Sequence, residues 1–228
     1  MMKNILQLQT YLQEQRIHGL AVDIDETLSW TIGYWVEQMQ MHFGNPEQLS
    51  VQELVAKYQY TQNVPYWQTE EALQWMEDQR NSDELQTKLP LIPDSNTTLR
   101  EINNIIPVVA YITIRPESVV NGTQHWLNAH GFPSAEIIAR PSNIPTNKGN
   151  QWKADTLQQL YPQVIGIIDD SPHVVESLSA DYPGEVYFYN TAKPKRTDIR
   201  IIPCPTWQDV LTHCKKNVNK ATQVIAMD

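Results

Sequence analysis

The chain has 228 residues, of which 41% are hydrophobic and 19% are charged, and this length can bury the core of one domain with an insertion. Seventeen basic residues against 26 acidic ones give a formal net charge of -9, and this field would repel a long polyanion, so polymeric nucleic acid is excluded as the expected partner. A small phosphorylated molecule stays compatible with this charge, because a local cation can reverse the field inside one cleft.

The N-terminal sequence lacks the apolar stretch of a secretory signal, and no segment approaches the roughly 20 apolar residues that cross a bilayer. The two cysteines, Cys204 and Cys214, have no metal-ligand spacing, and we interpret them as reduced thiols without a catalytic role. We therefore expect a cytoplasmic protein that does not bind a membrane.

Three apolar runs predict buried strands, and each is followed by polar residues and then by a helical pattern. The runs cover residues 20–24, 107–114 and 164–168. Weaker patterns predict strands at 136–139 and 185–189, and helices at 3–16, 94–105, 116–130, 153–161, 172–180 and 206–217. This alternation is typical of an α/β fold, a doubly wound, Rossmann-like parallel sheet with crossover helices.

The segment 29–90 differs from the rest because its pattern is helical throughout and rich in glutamine, tryptophan and tyrosine. It is far longer than an ordinary loop between a strand and the next helix, so we predict a small, all-helical inserted domain. Residues 1–28 and 91–228 would then form the α/β core. Each aromatic residue of the insertion is more typical of a core than of a binding site, but together they allow a substrate with a planar ring.

Polar side chains follow the three strong strands, and ligands of open α/β sheets bind at the carboxyl ends of strands. With a lysine from the helix before the third strand, the candidates are Asp23, Asp25, Thr113, Lys153, Asp169 and Asp170. Clustered carboxylates repel one another unless a cation lies among them, and oxygen ligands without His or Cys favour Mg²⁺ over Zn²⁺. The lysine and the threonine supply the charge and the hydroxyl that a bound phosphate needs.

The two aspartates of the first motif suggest a mechanism for phosphoryl transfer. If both face the cleft, Asp23 can attack phosphorus as a nucleophile, while Asp25 acts as general acid and then as general base. Two residues stay ambiguous at this point. Lys148 is a rival to Lys153 as the phosphate-binding lysine, and Arg115 is either a substrate contact or part of a surface salt bridge.

The motifs DIDET at 23–27, YITIRP at 111–116, a helix-initial lysine and IIDDS at 167–171 resemble, in this order, the haloacid dehalogenase superfamily of Mg²⁺-dependent phosphatases and phosphotransferases. Glu26 departs from the glycine that many relatives carry at this position. The insertion is similar to the helical cap of the family, which closes over the cleft and selects the substrate, and the 5'-nucleotidase branch is the one it resembles.

The resemblance implies an aspartyl-phosphate enzyme in which Asp23 is both nucleophile and metal ligand. Asp25 would be the acid and base, and its backbone carbonyl would also bind Mg²⁺. Thr113 and Lys153 would bind phosphate. Asp170 would be a direct metal ligand and Asp169 would act through water.

We therefore expect a Mg²⁺-dependent phosphatase acting on a small phosphomonoester, with a nucleotide as one candidate. Two alternatives are a phosphomutase that uses the same site, and a non-catalytic regulatory protein that binds metal or phosphate.

Overall fold

The computed structural model describes residues 5–191 and 196–225, with side chains described as far as residue 217 in the last helix. The strands are β1 (Gly19–Val22), β2 (Val108–Pro116), β3 (Glu136–Arg140), β4 (Val164–Asp169), β5 (Glu185–Tyr189) and β6 (Arg200–Cys204). The helices are α1 (Ile5–Glu14), α2 (Thr31–Phe43), α3 (Val51–Tyr58), α4 (Glu70–Arg80), α5 (Asp83–Gln86), α6 (Ser95–Asn103), α7 (Val120–Ala129), α8 (Gly149–Leu160), α9 (Pro172–Ser177) and α10 (Trp207–Ile225).

All six strands are parallel and form one sheet in the order β3-β2-β1-β4-β5-β6. The chain runs outward from β1 through β2 to β3, and then crosses back to β4 on the other side of β1. The strand order therefore reverses at β1, and ligands of open α/β sheets bind at such a point. The predicted fold class is confirmed.

Apolar residues cover both faces of this sheet. One cluster contains Leu20 and Tyr111 on one face, and the other contains Ala21 and Ile167 on the opposite face. This alternation follows from the strand period of two residues, and burial on both faces explains why the central strands are continuous apolar runs. Both Cys204 and Cys214 are buried and free.

The segment between β1 and α6 contains only helical elements among its regular structure, namely α2 to α5 and two short 3-10 helices at 61–63 and 65–67. Its apolar residues, Trp35 and Trp67 among them, belong to the same buried cluster as one face of the sheet. Helix α5 lies against α7, where a Cβ on Gly122 would be only 1.8 Å from the carbonyl oxygen of Asp83. Glycine allows this close approach. The division into a core and an inserted domain at residues 29 and 90 stays a prediction.

Three details differ from the sequence-based expectation. Strand β6 was missed, since it begins with Arg200 and contains Pro203, which an edge strand tolerates because it pairs on one side only. Helix α8 begins at Gly149, so Lys153 lies within it rather than at its start. Pro116 ends β2 instead of opening a helix. No helix in the described part of the chain has the length and hydropathy to cross a membrane.

Candidate active site

Asp23 directly follows β1, and its backbone N–H donates to the carbonyl of Ile168 at 2.9 Å, which holds it beside β4. After this residue the chain leaves the sheet, because Leu28 and Ser29 both donate to the carbonyl of Ile24 in a tight loop. Only 6% of Asp23 is exposed. The first predicted catalytic residue therefore lies buried at the carboxyl end of the central strand.

Lys153 comes to the same point from α8 and is 1% exposed. Its Nζ forms ion pairs with Asp23 Oδ1 and with Asp169 Oδ2, the second at 2.6 Å. Burial opposes the charged form, but the charges of Asp169 and Asp23 outweigh it and raise the pKa of Lys153. The lysine therefore carries a fixed positive charge beside Asp23.

Asp169 ends β4, and Asp170 follows it in the loop that leads to α9. The backbone N–H of Ser171 donates to Asp169 Oδ1 at 2.8 Å, and the hydroxyl of Thr27 donates to Asp170 Oδ1 at 3.0 Å. Oxygens of Asp23, Asp169 and Asp170 all lie within 4.8 Å of one another. We call these three residues the carboxylate cluster.

Asp25 is not part of the carboxylate cluster, because its side chain forms an ion pair with Arg115 of β2. The Nε of Arg115 lies 3.1 Å from both carboxylate oxygens, and Nη2 lies 2.6 Å from Oδ1. The hydroxyl of Thr31 also donates to Oδ1 at 2.6 Å. Arg115 is 6% exposed, so it forms a salt bridge that is buried and not at the surface as one alternative expected. Its contact with a substrate stays a prediction.

The remaining candidates occupy different environments. Thr113 is buried in β2, and its hydroxyl accepts a hydrogen bond from the backbone N–H of Arg115 at 3.2 Å. Lys148 is exposed at the end of a short 3-10 helix. The contacts of Lys153 with two carboxylates therefore favour it over Lys148 as the lysine of the site.

The chain resembles several solved structures, one of them at a TM-score above 0.5. The chain is similar to the crystal structure of a dehalogenase with an intermediate complex, at 11% identity and a TM-score of 0.51, over 86% of this chain and 96% of that chain. It is also similar to a HAD family hydrolase from Deinococcus radiodurans with bound phosphate and sodium, at 16% identity and a TM-score of 0.46, over 87% of this chain and 88% of that chain. A third similar structure is cytosolic 5'-nucleotidase IIIB bound to cytidine, at 10% identity and a TM-score of 0.42, over 98% of this chain and 95% of that chain.

The chain has the haloacid dehalogenase fold. No protein-family model matches the sequence, and no curated protein matches it. The likeness to solved structures confirms, at the level of the fold, the resemblance inferred from the motifs.

Within this haloacid dehalogenase fold, Glu26 shows why glycine suits the position after the second aspartate. Its φ is +59°, in the left-handed region that glycine adopts most readily. Its carboxylate accepts a hydrogen bond from the backbone N–H of Ile32 at 2.6 Å, in the first turn of α2. Burial raises the pKa of Glu26 to about 7. The side chain thus connects the loop after β1 to the first helix of the insertion.

The carboxyl groups of the carboxylate cluster could hold a metal ion, and their close approach changes their pKa values. Burial, followed by the charge of Asp169, raises the pKa of Asp170 to about 7. Burial also raises the pKa of Asp23 well above its ordinary value, although Lys153 opposes this change. Three buried or partly buried carboxylates lie around one ammonium group, and all the donors are hard oxygens, so the cluster could hold a divalent metal ion.

We expect Mg²⁺ to stabilise the protein most at high pH. A carboxyl group with a raised pKa binds more protons in the folded than in the unfolded state, so the metal-free protein loses stability as pH rises from about 4 through about 7. Mg²⁺ should reverse this loss by neutralising the ionised cluster. Thermal melts in EDTA and in Mg²⁺ across this range measure the effect.

The variant Asp170→Asn serves as the control for this experiment, because it removes one of the titrating groups. Both the pH-dependent loss and the rise in Tm with Mg²⁺ should be smaller in this variant. An equal Mg²⁺ effect in the wild type and in Asp170→Asn would contradict the assignment of the site.

The ion pair between Arg115 and Asp25 leads to a second prediction. We expect Arg115→Met to lower the free energy of unfolding at pH 7 by about 3 kcal/mol, because it leaves a partly buried carboxylate unpaired. Burial alone would raise the pKa of Asp25, but Arg115 and Thr31 hold it below its ordinary value. The stabilisation is therefore present above the unfolded-state pKa and is lost as pH falls through the lower folded-state pKa.

Urea denaturation of wild type and variant at pH 7 and at pH 3 measures this dependence, with Arg100→Met as an exposed control on α6. The difference between wild type and Arg115→Met should shrink at the lower pH. A difference of the same size at both values would show that the ion pair is not its cause.

A cavity of about 670 Å³ opens beside this site. Its lining includes Asp25, Glu26 and Arg115, together with residues of α2 and α4. This volume lies within the range of small-molecule sites. Trp35 and Trp67 of the insertion are buried and also line the cavity, so these two aromatic residues belong both to the core and to the cavity wall.

Four contacts of the site were not assigned from the sequence. They are those of Arg115 with Asp25, Thr27 with Asp170, Thr31 with Asp25, and Glu26 with Ile32. Thr27 and Glu26 stand inside the DIDET motif, so the motif itself was the signal that could have found them. Thr31 carried no comparable signal.

Proposed function

We propose that the chain is a Mg²⁺-dependent phosphatase of the haloacid dehalogenase superfamily, acting on a small phosphomonoester through an aspartyl-phosphate on Asp23. The observation that carries this proposal is the carboxylate cluster with Lys153 paired to two of its members, at the carboxyl ends of β1 and β4. The segment 29–90 would be the cap that covers the cleft.

Asp23, Asp169 and Asp170 would hold Mg²⁺, together with the backbone carbonyl of Asp25. The metal would supply positive charge that offsets the cluster and polarises the phosphoryl oxygens of the substrate. Lys153 would bind a phosphoryl oxygen through its fixed charge, and Thr113 would donate its hydroxyl to another.

The reaction would proceed in two steps. A carboxylate oxygen of Asp23 forms a bond to phosphorus as the bond from phosphorus to the leaving oxygen breaks, and Asp25 gives a proton to that oxygen. Asp25 then takes a proton from water, whose oxygen attacks the same phosphorus, releases phosphate and restores the Asp23 carboxylate. The pairing with Arg115 favours the ionised form of Asp25, which is the form the second step needs. The proton that Asp25 gives in the first step is the one it took from water in the preceding turnover.

A panel of phosphomonoesters assayed with Mg²⁺ and with EDTA tests this function. We expect phosphate release that requires Mg²⁺ and returns when the metal is restored. Release of an isomerised phosphate ester instead of free phosphate would favour the phosphomutase. Confirmed Mg²⁺ binding without turnover of any substrate would favour the regulatory protein.

A further inference from the structure

The cavity beside Asp25 has a mainly apolar wall supplied by the insertion. The apolar residues that line it from this segment include Trp35, Met39, Trp67, Ala72, Leu73 and Met76. Met39 and Met76 are 2% and 5% exposed, so their side chains are already withdrawn from water. Methionine is flexible and polarisable, and it adapts to apolar groups of varied shape.

The charged side chains of the wall already have protein partners. Arg140 donates to the backbone carbonyls of Ile114 and Ile144, and Arg80 lies 3.7 Å from Glu77. Arg115 is committed to Asp25. The wall also carries uncharged polar side chains, of which Thr31, Asn81 and Gln86 already donate to protein oxygens. A sugar or a nucleoside would have to compete with these bonds or leave its own polar groups unpaired against the apolar residues, and unpaired buried polar groups are costly.

The cavity reaches the loop that carries the nucleophile of the proposed function, since Asp25 and Glu26 are among its lining residues. Asp25 lines the cavity and is two residues from Asp23 in the loop after β1. A phosphomonoester with its phosphoryl group at Lys153 would therefore point its leaving group past Asp25 into the apolar wall. The size of the cavity leaves room for a ring or a chain of several carbons.

Resting on the proposed function, we infer that the substrate is a phosphate ester of an apolar alcohol or phenol, whose hydrocarbon part fills this cavity. Affinity should then grow with the apolar area that the leaving group buries. For a straight chain, each buried methylene should tighten binding about two- to fourfold.

Isothermal titration calorimetry with n-alkylphosphonates from ethyl to octyl, in the presence of Mg²⁺, tests this inference. These probes are not hydrolysed, and their headgroup is constant while the chain lengthens. We expect Kd to fall about two- to fourfold with each methylene until the cavity is filled. Leu73→Gln, a change at a cavity residue that is 46% exposed, should weaken this dependence.

Met41→Gln is the matched control, since Met41 lies on α2 but is 70% exposed and outside the cavity. It should leave the dependence on chain length unchanged. A Kd that is independent of chain length would overturn the inference, as would tighter binding of a nucleoside phosphonate than of octylphosphonate. The binding series needs no turnover, so it tests the inference separately from the proposed function. Failure of the proposed function would instead be seen as the absence of Mg²⁺-dependent phosphate release.

Discussion

Replacing Asp23 by asparagine is expected to reduce Mg²⁺-dependent phosphate release by about 10³-fold or more while leaving the fold intact. Asparagine has nearly the same shape but is a far weaker nucleophile than a carboxylate. The substitution also removes one oxygen ligand from the carboxylate cluster. Initial rates at saturating Mg²⁺ and circular dichroism of the purified variant measure the two parts of this prediction.

Asp78→Asn is a suitable control for this variant, because Asp78 is exposed on α4 and contacts Gln74 rather than any residue of the site. Its rate should match that of the wild type. Turnover retained in Asp23→Asn would show that Asp23 is not the nucleophile and would contradict the proposed mechanism.

Lys153→Met should affect both stability and activity. Lys153 is the ammonium group paired to Asp23 and Asp169, and its loss leaves buried carboxylates without that partner. Breaking a buried ion pair in this way costs about 3 to 5 kcal/mol, so the metal-free variant should unfold at much lower temperature. Mg²⁺ should restore part of the lost stability, because it replaces the missing positive charge, but it should not restore phosphate release.

Lys148→Met provides the comparison that separates the two lysines. Lys148 is exposed, and a surface substitution of this kind usually changes stability by less than about 0.5 kcal/mol. Its activity should stay close to that of the wild type. A loss of activity in Lys148→Met with full activity in Lys153→Met would reverse the assignment.

The sequence was enough to predict the parallel sheet and the strand ends, because buried central strands produce apolar runs that end abruptly in polar residues. The runs before Asp23 and Asp169 are examples, and these two residues meet in the structure. The edge strand β6 gave no such run, since a strand at the edge of a sheet needs less apolar sequence and tolerates Pro203.

Contacts between distant side chains were harder to predict. The Arg115 guanidinium reaches Asp25 across 90 residues of sequence, and only the adjacency of β1 and β2 makes this pairing possible. The start of helix α8 at Gly149 was also hard to predict, because its N-cap residue, Lys148, makes no side-chain capping hydrogen bond and so gives no local signal. The shape of the cavity also follows from how the insertion lies against the sheet, which no local pattern encodes.

The central claim is that Asp23 carries the phosphoryl group during turnover. Acid quenching of the wild-type enzyme with substrate and Mg²⁺, followed by borohydride reduction, converts an acyl phosphate on an aspartate into homoserine. Peptide mass spectrometry then locates the reduced residue. We predict homoserine at position 23, and its absence when Mg²⁺ is replaced by EDTA. Homoserine at another aspartate, or none at position 23 during confirmed phosphate release, would contradict the mechanism.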